Sequence, residues 1–307
     1  MKLFDLHCDT LYRAYTENST LFNDEFHISF HKTKNIQPYI QCLAVWIPDE
    51  YRGENAVRLF HSCVGTLKNQ IAGTNIVWCK NFADMENVKE HQSGVILTVE
   101  SGAALGGDIK NIKRFAEIGV KMMTLTWNGT NELGDGVGVT ENNQGLSRFG
   151  RECVRELEQN HIIVDISHAS EKMFYDVAAI SKKPFVASHS NVKAVCDHPR
   201  NLTNEQIEII KQKGGIVGMN FCRDFLNKNL TNAKMYDIIR IAEHFLSLGG
   251  EKTVALGGDF DGADIPSDMT GLESMSELYE LFLKNYSENI VNDIFFNNAY
   301  HFFKQNI

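Results

Sequence analysis

The chain has 307 residues, more than one ordinary domain needs and enough for one large repetitive α/β architecture. An apolar fraction of 43%, a charged fraction of 22% and only five prolines exclude a disordered or proline-linked chain. A net charge of -9 leaves no basic excess for nucleic acid or an anionic membrane, so the expected partner is a small molecule or another protein.

The N-terminal run Met1-Lys2-Leu3-Phe4-Asp5-Leu6-His7 meets charge before any apolar stretch of signal-peptide length. No segment approaches the roughly 20 apolar residues of a membrane helix, and the expectation is a soluble, cytoplasmic protein. Seven scattered cysteines without a C-x-x-C pair suggest neither a disulfide framework nor a zinc finger. They are expected to be reduced and buried.

Short apolar, β-branched or aromatic runs predict strands at 2–9, 40–47, 94–100, 120–127, 161–167, 184–189, 215–221 and 253–260. Amphipathic stretches predict helices at 55–70, 109–118, 149–159, 171–180, 204–213 and 233–248. Ser170 and Thr203 stand where side-chain oxygens cap a first helical turn. After the eighth strand, 274–285 and 288–305 supply the last helix and a further C-terminal one. Runs such as Ile162-Ile163-Val164 suit parallel strands covered on both faces. An open dinucleotide-binding sheet is disfavoured, because Asp9-Thr10-Leu11-Tyr12 follows the first strand in place of a glycine-rich turn. The predicted fold is α/β, a (β/α)8 TIM barrel of the metal-dependent hydrolase type. It forms one domain over 1–307, with a C-terminal helical extension from about 274.

Ionisable residues collect at the C-terminal ends of these strands: His7 and Asp9, Glu100, His168, His189 and Asp259, with Trp127 at the fourth. In a barrel that edge is the catalytic face. The two-residue period of a strand puts His7 and Asp9 on one face, where H-x-D chelates an ion, and turns Cys8 toward the helices. Imidazole and carboxylate donors sharing one rim suit zinc. Asp165 reads as an orienting group and His198, two residues before Arg200, as a candidate to line the pocket. The Asp259-Phe260-Asp261-Gly262 run lacks the remaining ligands of a calcium loop. Gly134 to Gly138 read as a flexible loop suited to a mobile lid, without the spacing of a phosphate cradle.

The ordered set His7-Cys8-Asp9, Val99-Glu100-Ser101-Gly102, Gly145-Leu146-Ser147, Val164-Asp165-Ile166-Ser167-His168, Ser188-His189-Ser190 and Gly257-Gly258-Asp259-Phe260-Asp261-Gly262 spans almost the whole chain. It resembles the membrane (renal) dipeptidase family, peptidase family M19 of the amidohydrolase superfamily. The resemblance implies a (β/α)8 barrel with two Zn2+ per chain. His7 and Asp9 would bind one ion, His168 and His189 the other, and Glu100 would bridge them. It further implies a dipeptide substrate, with a C-terminal D-residue allowed, attacked by a hydroxide held between the metals. Asp259 would move protons and Arg200 would hold the substrate carboxylate; a homodimer is also allowed. One position departs from the animal enzymes, which carry a histidine where this chain has Trp127. The oxyanion role then falls to a zinc ion helped by Trp127 or Asn128. The alternatives are an amidohydrolase acting on an N-acyl amino acid or a lactone, and a non-catalytic barrel.

Overall fold

Most of the predicted apolar runs become parallel strands, and most of them stop earlier than their hydrophobicity does. The computed structural model describes residues 1–229 and 233–307. Its strands are β1 (Leu3–Cys8), β2 (Tyr39–Trp46), β3 (Ile76–Trp78), β4 (Ser93–Glu100), β5 (Val120–Thr124), β6 (Thr130–Asn131), β7 (Gly134–Asp135), β8 (Ile163–Asp165), β9 (Val217–Met219) and β10 (Val254–Leu256). The main sheet runs β8-β5-β4-β2-β1-β10-β9, with every neighbour parallel. The sheet curls, so that both end strands reach segment 184–189: Asp165 bridges Val186, and Ala187 bridges Val217.

Three of the truncations, at β8, β9 and β10, share a physical cause. Side-chain amides and carboxylates take the backbone donors that a longer ladder would have used. Asp165 Oδ1 accepts from the backbone of Ser167 and of Ser188, both at 2.9 Å, which ends β8 and leaves 184–189 with single bridges instead of the predicted strand. Asn191 Oδ1 accepts from Asn220 N at 2.9 Å just beyond β9. Asp5 Oδ2 accepts from Gly258 N at 2.8 Å just beyond β10. Two further differences are additions. The strand β3 pairs with Ser93 to Val95 of β4, before β5 joins that edge, and β6 with β7 forms a separate hairpin.

Helices Gly53–Ile71, Lys110–Ile118, Arg148–Gln159, Glu171–Ile180, Asn204–Gln212 and Met235–Ser247 follow the predicted positions closely. The caps form as expected: Ser170 accepts from Met173 N, and Thr203 with Gln206 completes a capping box. Alternation along the strands divides the core in two. Leu43, Val45, Leu97, Val99, Val164, Val217 and Leu256 pack with the helices. A second cluster takes Phe4, Leu6, Ile40, Cys42, Ile96, Met122, Ile163, Val186, Ile216 and Ala255. It thus draws on β1, β2, β4, β5, β8, segment 184–189 and the β9 and β10 stretches alike.

This second cluster is sealed below by the C-terminus. The predicted helix 288–305 is divided by a π-helical turn, Asp293–Asn297, between Glu288–Asn292 and Asn298–Asn306. The wider turn sends adjacent aromatics to different partners. Phe295 packs on Phe282 with centroids 5.2 Å apart, and Phe296 on Phe4 at 6.3 Å. Phe303 joins Phe4 at 5.1 Å. Among the described residues, no helix is long and apolar enough to cross a membrane. All seven cysteines are free and buried, and burial pushes the thiols of Cys63, Cys79, Cys153 and Cys222 up to about 12.

Candidate metal centre

The end of β1 carries a bulge. Asp5 pairs with Gln41 and Cys8 with Leu43, so three steps on β1 match two on β2. Bulges re-aim side chains at sites. Here Leu6 belongs to the lower core, yet His7, its neighbour, joins the rim above, and Cys8, two residues from Leu6, crosses to the core packed against the helices, as expected of it. Asp5 stabilises the bulge from within the protein. Its carboxylate accepts from His7 N at 3.0 Å, Gln41 Nε2 at 3.0 Å and Gly258 N at 2.8 Å.

Around this point the distant strand ends converge. His7 Nε2 lies 3.3 Å from Asp9 Oδ2, 3.8 Å from Glu100 Oε2 and 3.9 Å from Asp259 Oδ1. The other oxygen of Glu100, Oε1, lies 3.0 Å from His168 Nε2 and 3.5 Å from His189 Nε2. All six side chains are buried or nearly so. His168 and Asp259 sit at φ 64° and 56°, the left-handed region that costs a non-glycine residue and clusters at functional sites. Gly262 is required by the same crowding, since a Cβ there would stand 2.0 Å from Asp9 Oδ2.

The electrostatics call for positive charge. Burial alone would lower His7, but the carboxylates of Glu100, Asp9 and Asp259 outweigh it and hold the imidazole up at about 10, so a cation bound here would take the place of its proton. Burial pushes Glu100 well above the ordinary carboxylate range, with Asp9 adding to the effect. His168 and His189 are pushed well below the ordinary range, first by burial and then by cationic neighbours, which keeps them neutral as metal ligands must be. Asp9 Oδ1 is buried with no hydrogen-bond partner. Two sets of donor atoms, His7-Glu100-His189 and His7-Asp9-Asp259, lie within 4.8 Å of one another. An orphaned carboxylate oxygen among nitrogen and oxygen donors fits a divalent cation of the zinc type.

Each imidazole of the far pair is backed differently. Ser188 Oγ lies 2.8 Å from His189 Nδ1 and donates at 2.5 Å to Asp165 Oδ2, which Thr124 Oγ1 also reaches at 2.6 Å. His168 Nδ1 lies 2.8 Å from Asn128 Oδ1. The orienting part expected of Asp165 is therefore visible, whereas Ser188 and Asn220 were missed. Asn220 donates to Asp259 Oδ2 at 2.9 Å. Single hydroxyl and amide groups carry no sequence signal of such contacts.

The residues open onto a cavity of about 480 Å³ lined by Asp9, Glu100, Asp259, His168, Trp127 and Asn128, together with Tyr12, Trp46, Cys222 and Phe225. That volume suits a small molecule. Trp127 and Trp46 meet edge to face at 5.0 Å, and Tyr12 extends the wall at 4.9 Å. Arg200 is near the cavity but not among its lining residues. It is buried behind Phe225, 5.5 Å from that ring, and borders a smaller space with Ser190 and His168. Its guanidinium donates weakly to Ser190 Oγ at 3.4 Å and to His189 O at 3.2 Å, and its Nε has no partner. His198 does not line the cavity: it packs at a tilt on Phe225 and accepts from Arg200 N, bracing the arginine from outside.

One loop corrects its sequence reading, and a second gains a role. The glycine-rich segment expected as a mobile lid is a packed buttress: Val137 N donates to His168 O and Gly138 N to Asn128 O, both at 2.8 Å. At Gly136 a Cβ would stand 2.0 Å from Trp127 O, so the glycine serves close approach. Asp261 is a clamp, accepting from Thr10 Oγ1, Arg13 and the backbone of His27 and Ile28.

A curled parallel sheet with imidazoles and carboxylates converging at its C-terminal edge is the arrangement of a metal-dependent hydrolase. The family model of the membrane dipeptidases, peptidase family M19, matches residues 1–306, and the chain belongs to that family of metallopeptidases. The crystal structure of dipeptidase AC, a metallopeptidase of family M19, superposes with a TM-score of 0.92 at 26% identity, over 100% of this chain and 98% of that one. A metallopeptidase from Rhodobacter sphaeroides, bound to a phosphinate mimic of the dipeptide L-Ala-D-Ala, superposes with a TM-score of 0.92 at 24% identity, over 100% and 99%. An uncharacterized dipeptidase of Schizosaccharomyces pombe is 32% identical over 199 residues, 64% of this chain and 48% of that protein. The chain thus matches about half the length of that relative.

Proposed function

We propose that the protein is a zinc-dependent dipeptidase that cleaves the peptide bond of dipeptides, with a D-residue accepted at the C-terminal position. The observation that carries the binuclear reading is Glu100, whose Oε2 faces His7 and whose Oε1 faces His168 and His189. In this reading His7 and Asp9 hold one Zn2+, His168 and His189 hold the other, and Glu100 bridges the pair. When bound, the two cations supply a water acidified toward neutral pH and a Lewis acid for the scissile carbonyl.

The chain's own groups do the rest. Asn220 occupies Asp259 Oδ2, leaving Oδ1, on the His7 side, to accept a proton and return it to the leaving amine. Arg200 keeps an unpaired Nε and only long contacts on its terminal nitrogens, a buried cation with capacity for the substrate carboxylate. Trp127 walls the cavity and offers an indole N–H where the animal enzymes carry histidine. The D-residue part of the proposal takes support from the dipeptide mimic bound by the Rhodobacter sphaeroides protein. The fold that goes with this reading is a closed (β/α)8 barrel in one domain, with segment 184–189 as its sixth stave. The bridges to Asp165 and Val217, and the place of Val186 in the lower core, support that closure.

The test is a dipeptide panel of L,L and L,D stereoisomers, assayed with and without a chelator. Hydrolysis that is lost on chelation and returns at two zinc ions per chain is the expected result. Turnover of N-acyl amino acids or lactones with no dipeptide cleaved would overturn the substrate assignment.

A further inference from the structure

We infer that Asn128 is a positioning residue that holds His168 as a zinc ligand, in place of the oxyanion contact its position in the cavity suggests; this rests on the reading of His168 as a ligand. For Nε2 of His168 to offer its lone pair to an ion held beside Glu100, the ring hydrogen must sit on Nδ1. Nδ1 lies 2.8 Å from Asn128 Oδ1, the acceptor that fixes this tautomer and the plane of the ring. The side-chain oxygen is thereby committed to the imidazole.

The surrounding backbone is built around this one bond. His168 occupies a left-handed conformation, and Val137 N donates to its carbonyl at 2.8 Å. The next residue, Gly138, donates to the Asn128 carbonyl at 2.8 Å. Adjacent amides of the turn after β7 therefore grip both partners. A Cβ at Gly138 would meet Asn128 O at 2.9 Å, so this clamp also needs its glycine. The contrast with His189 is chemical. That ring is backed by a hydroxyl relayed to the buried Asp165 carboxylate, whereas His168 is backed by a neutral amide. A neutral acceptor raises ligand basicity less than an anionic one, which makes His168 the weaker of the two imidazole ligands.

The experiment measures zinc stoichiometry and affinity by competition with a chromophoric chelator, and the visible spectrum of the Co2+-substituted protein. Wild type is expected to bind two ions. Asn128→Ala should lose about 10–100-fold in affinity at one site and shift the cobalt bands. Asn128→Asp keeps an acceptor and should stay within a few-fold of wild type. Gly138→Ala, which keeps the Asn128 side chain but shifts it, should weaken the same site several-fold, and it serves if Asn128→Ala does not fold. Unchanged zinc retention and cobalt spectrum in Asn128→Ala, with KM or kcat altered, would overturn the inference and return Asn128 to substrate contact. A wild type that binds a single ion would overturn the binuclear reading, and this inference with it.

Discussion

The two ends of the curled sheet are made by the same strands and follow opposite rules. At the lower end Phe4, Ile40, Ile96, Met122, Val186 and Ala255 meet Phe296, Phe302 and Phe303 in a dry cluster of ordinary alternation. At the upper end the ladder breaks off early, backbone donors turn to Asp5, Asp165 and Asn191, and Ser101, His168, Asp259 and Asp261 sit at positive φ. The lower end stabilises the fold through apolar burial. The upper end holds charged groups in a geometry that an apolar environment opposes. The lesson is that chemistry is placed where side chains displace regular hydrogen bonding.

If that division is right, substitutions at the two ends should separate activity from stability. The largest expected effect is at Glu100. Glu100→Ala removes the carboxylate that faces all three imidazoles, and metal analysis with steady-state kinetics should find zinc lost and kcat/KM down by about 10^3 or more. Next comes Asp259→Asn, expected to lower kcat by about 10^2–10^4 with zinc content unchanged. Retained kcat would remove Asp259 from proton transfer. Arg200→Ala should act mainly on KM if its buried, loosely bonded guanidinium holds the substrate carboxylate as proposed. A purely kcat effect would break that assignment.

The lower end should answer differently. Phe303→Ala opens a cavity beneath Phe4 and should cost about 3–5 kcal/mol in denaturant unfolding, while the folded fraction keeps wild-type kcat/KM and zinc. A fall in kcat/KM at full zinc occupancy would show that the two ends are coupled. The smallest expected effect concerns the thiols. With all seven buried and burial holding several of them up at about 12, a thiol reagent should label the native protein slowly and the denatured protein fully.

Removing the metal tests the upper end as a whole. Asp9, Glu100 and Asp259 stand close together with one orphaned oxygen, so chelation should lower Tm and added zinc should raise it with concentration. A Tm indifferent to both would argue that the cluster is satisfied by its own protons.

Much of this protein follows from local pattern. The alternation of apolar runs and amphipathic stretches determined the order of strands and helices. The oxygens of Ser170 and Thr203 determined two helix starts, and the spacing of His7, Asp9, Glu100, His168, His189 and Asp259 at strand ends determined where the donors would meet. These are short-range properties, set by a residue and its neighbours along one strand or helix. Only the tertiary structure decided the bulge that turns His7 upward, the early end of β8, the packed place of Gly136 to Gly138 and the position of Arg200 behind Phe225. Each depends on a hydrogen bond or a contact between residues far apart in the chain. Such a bond is chosen by the folded arrangement, from several that either residue alone would accept.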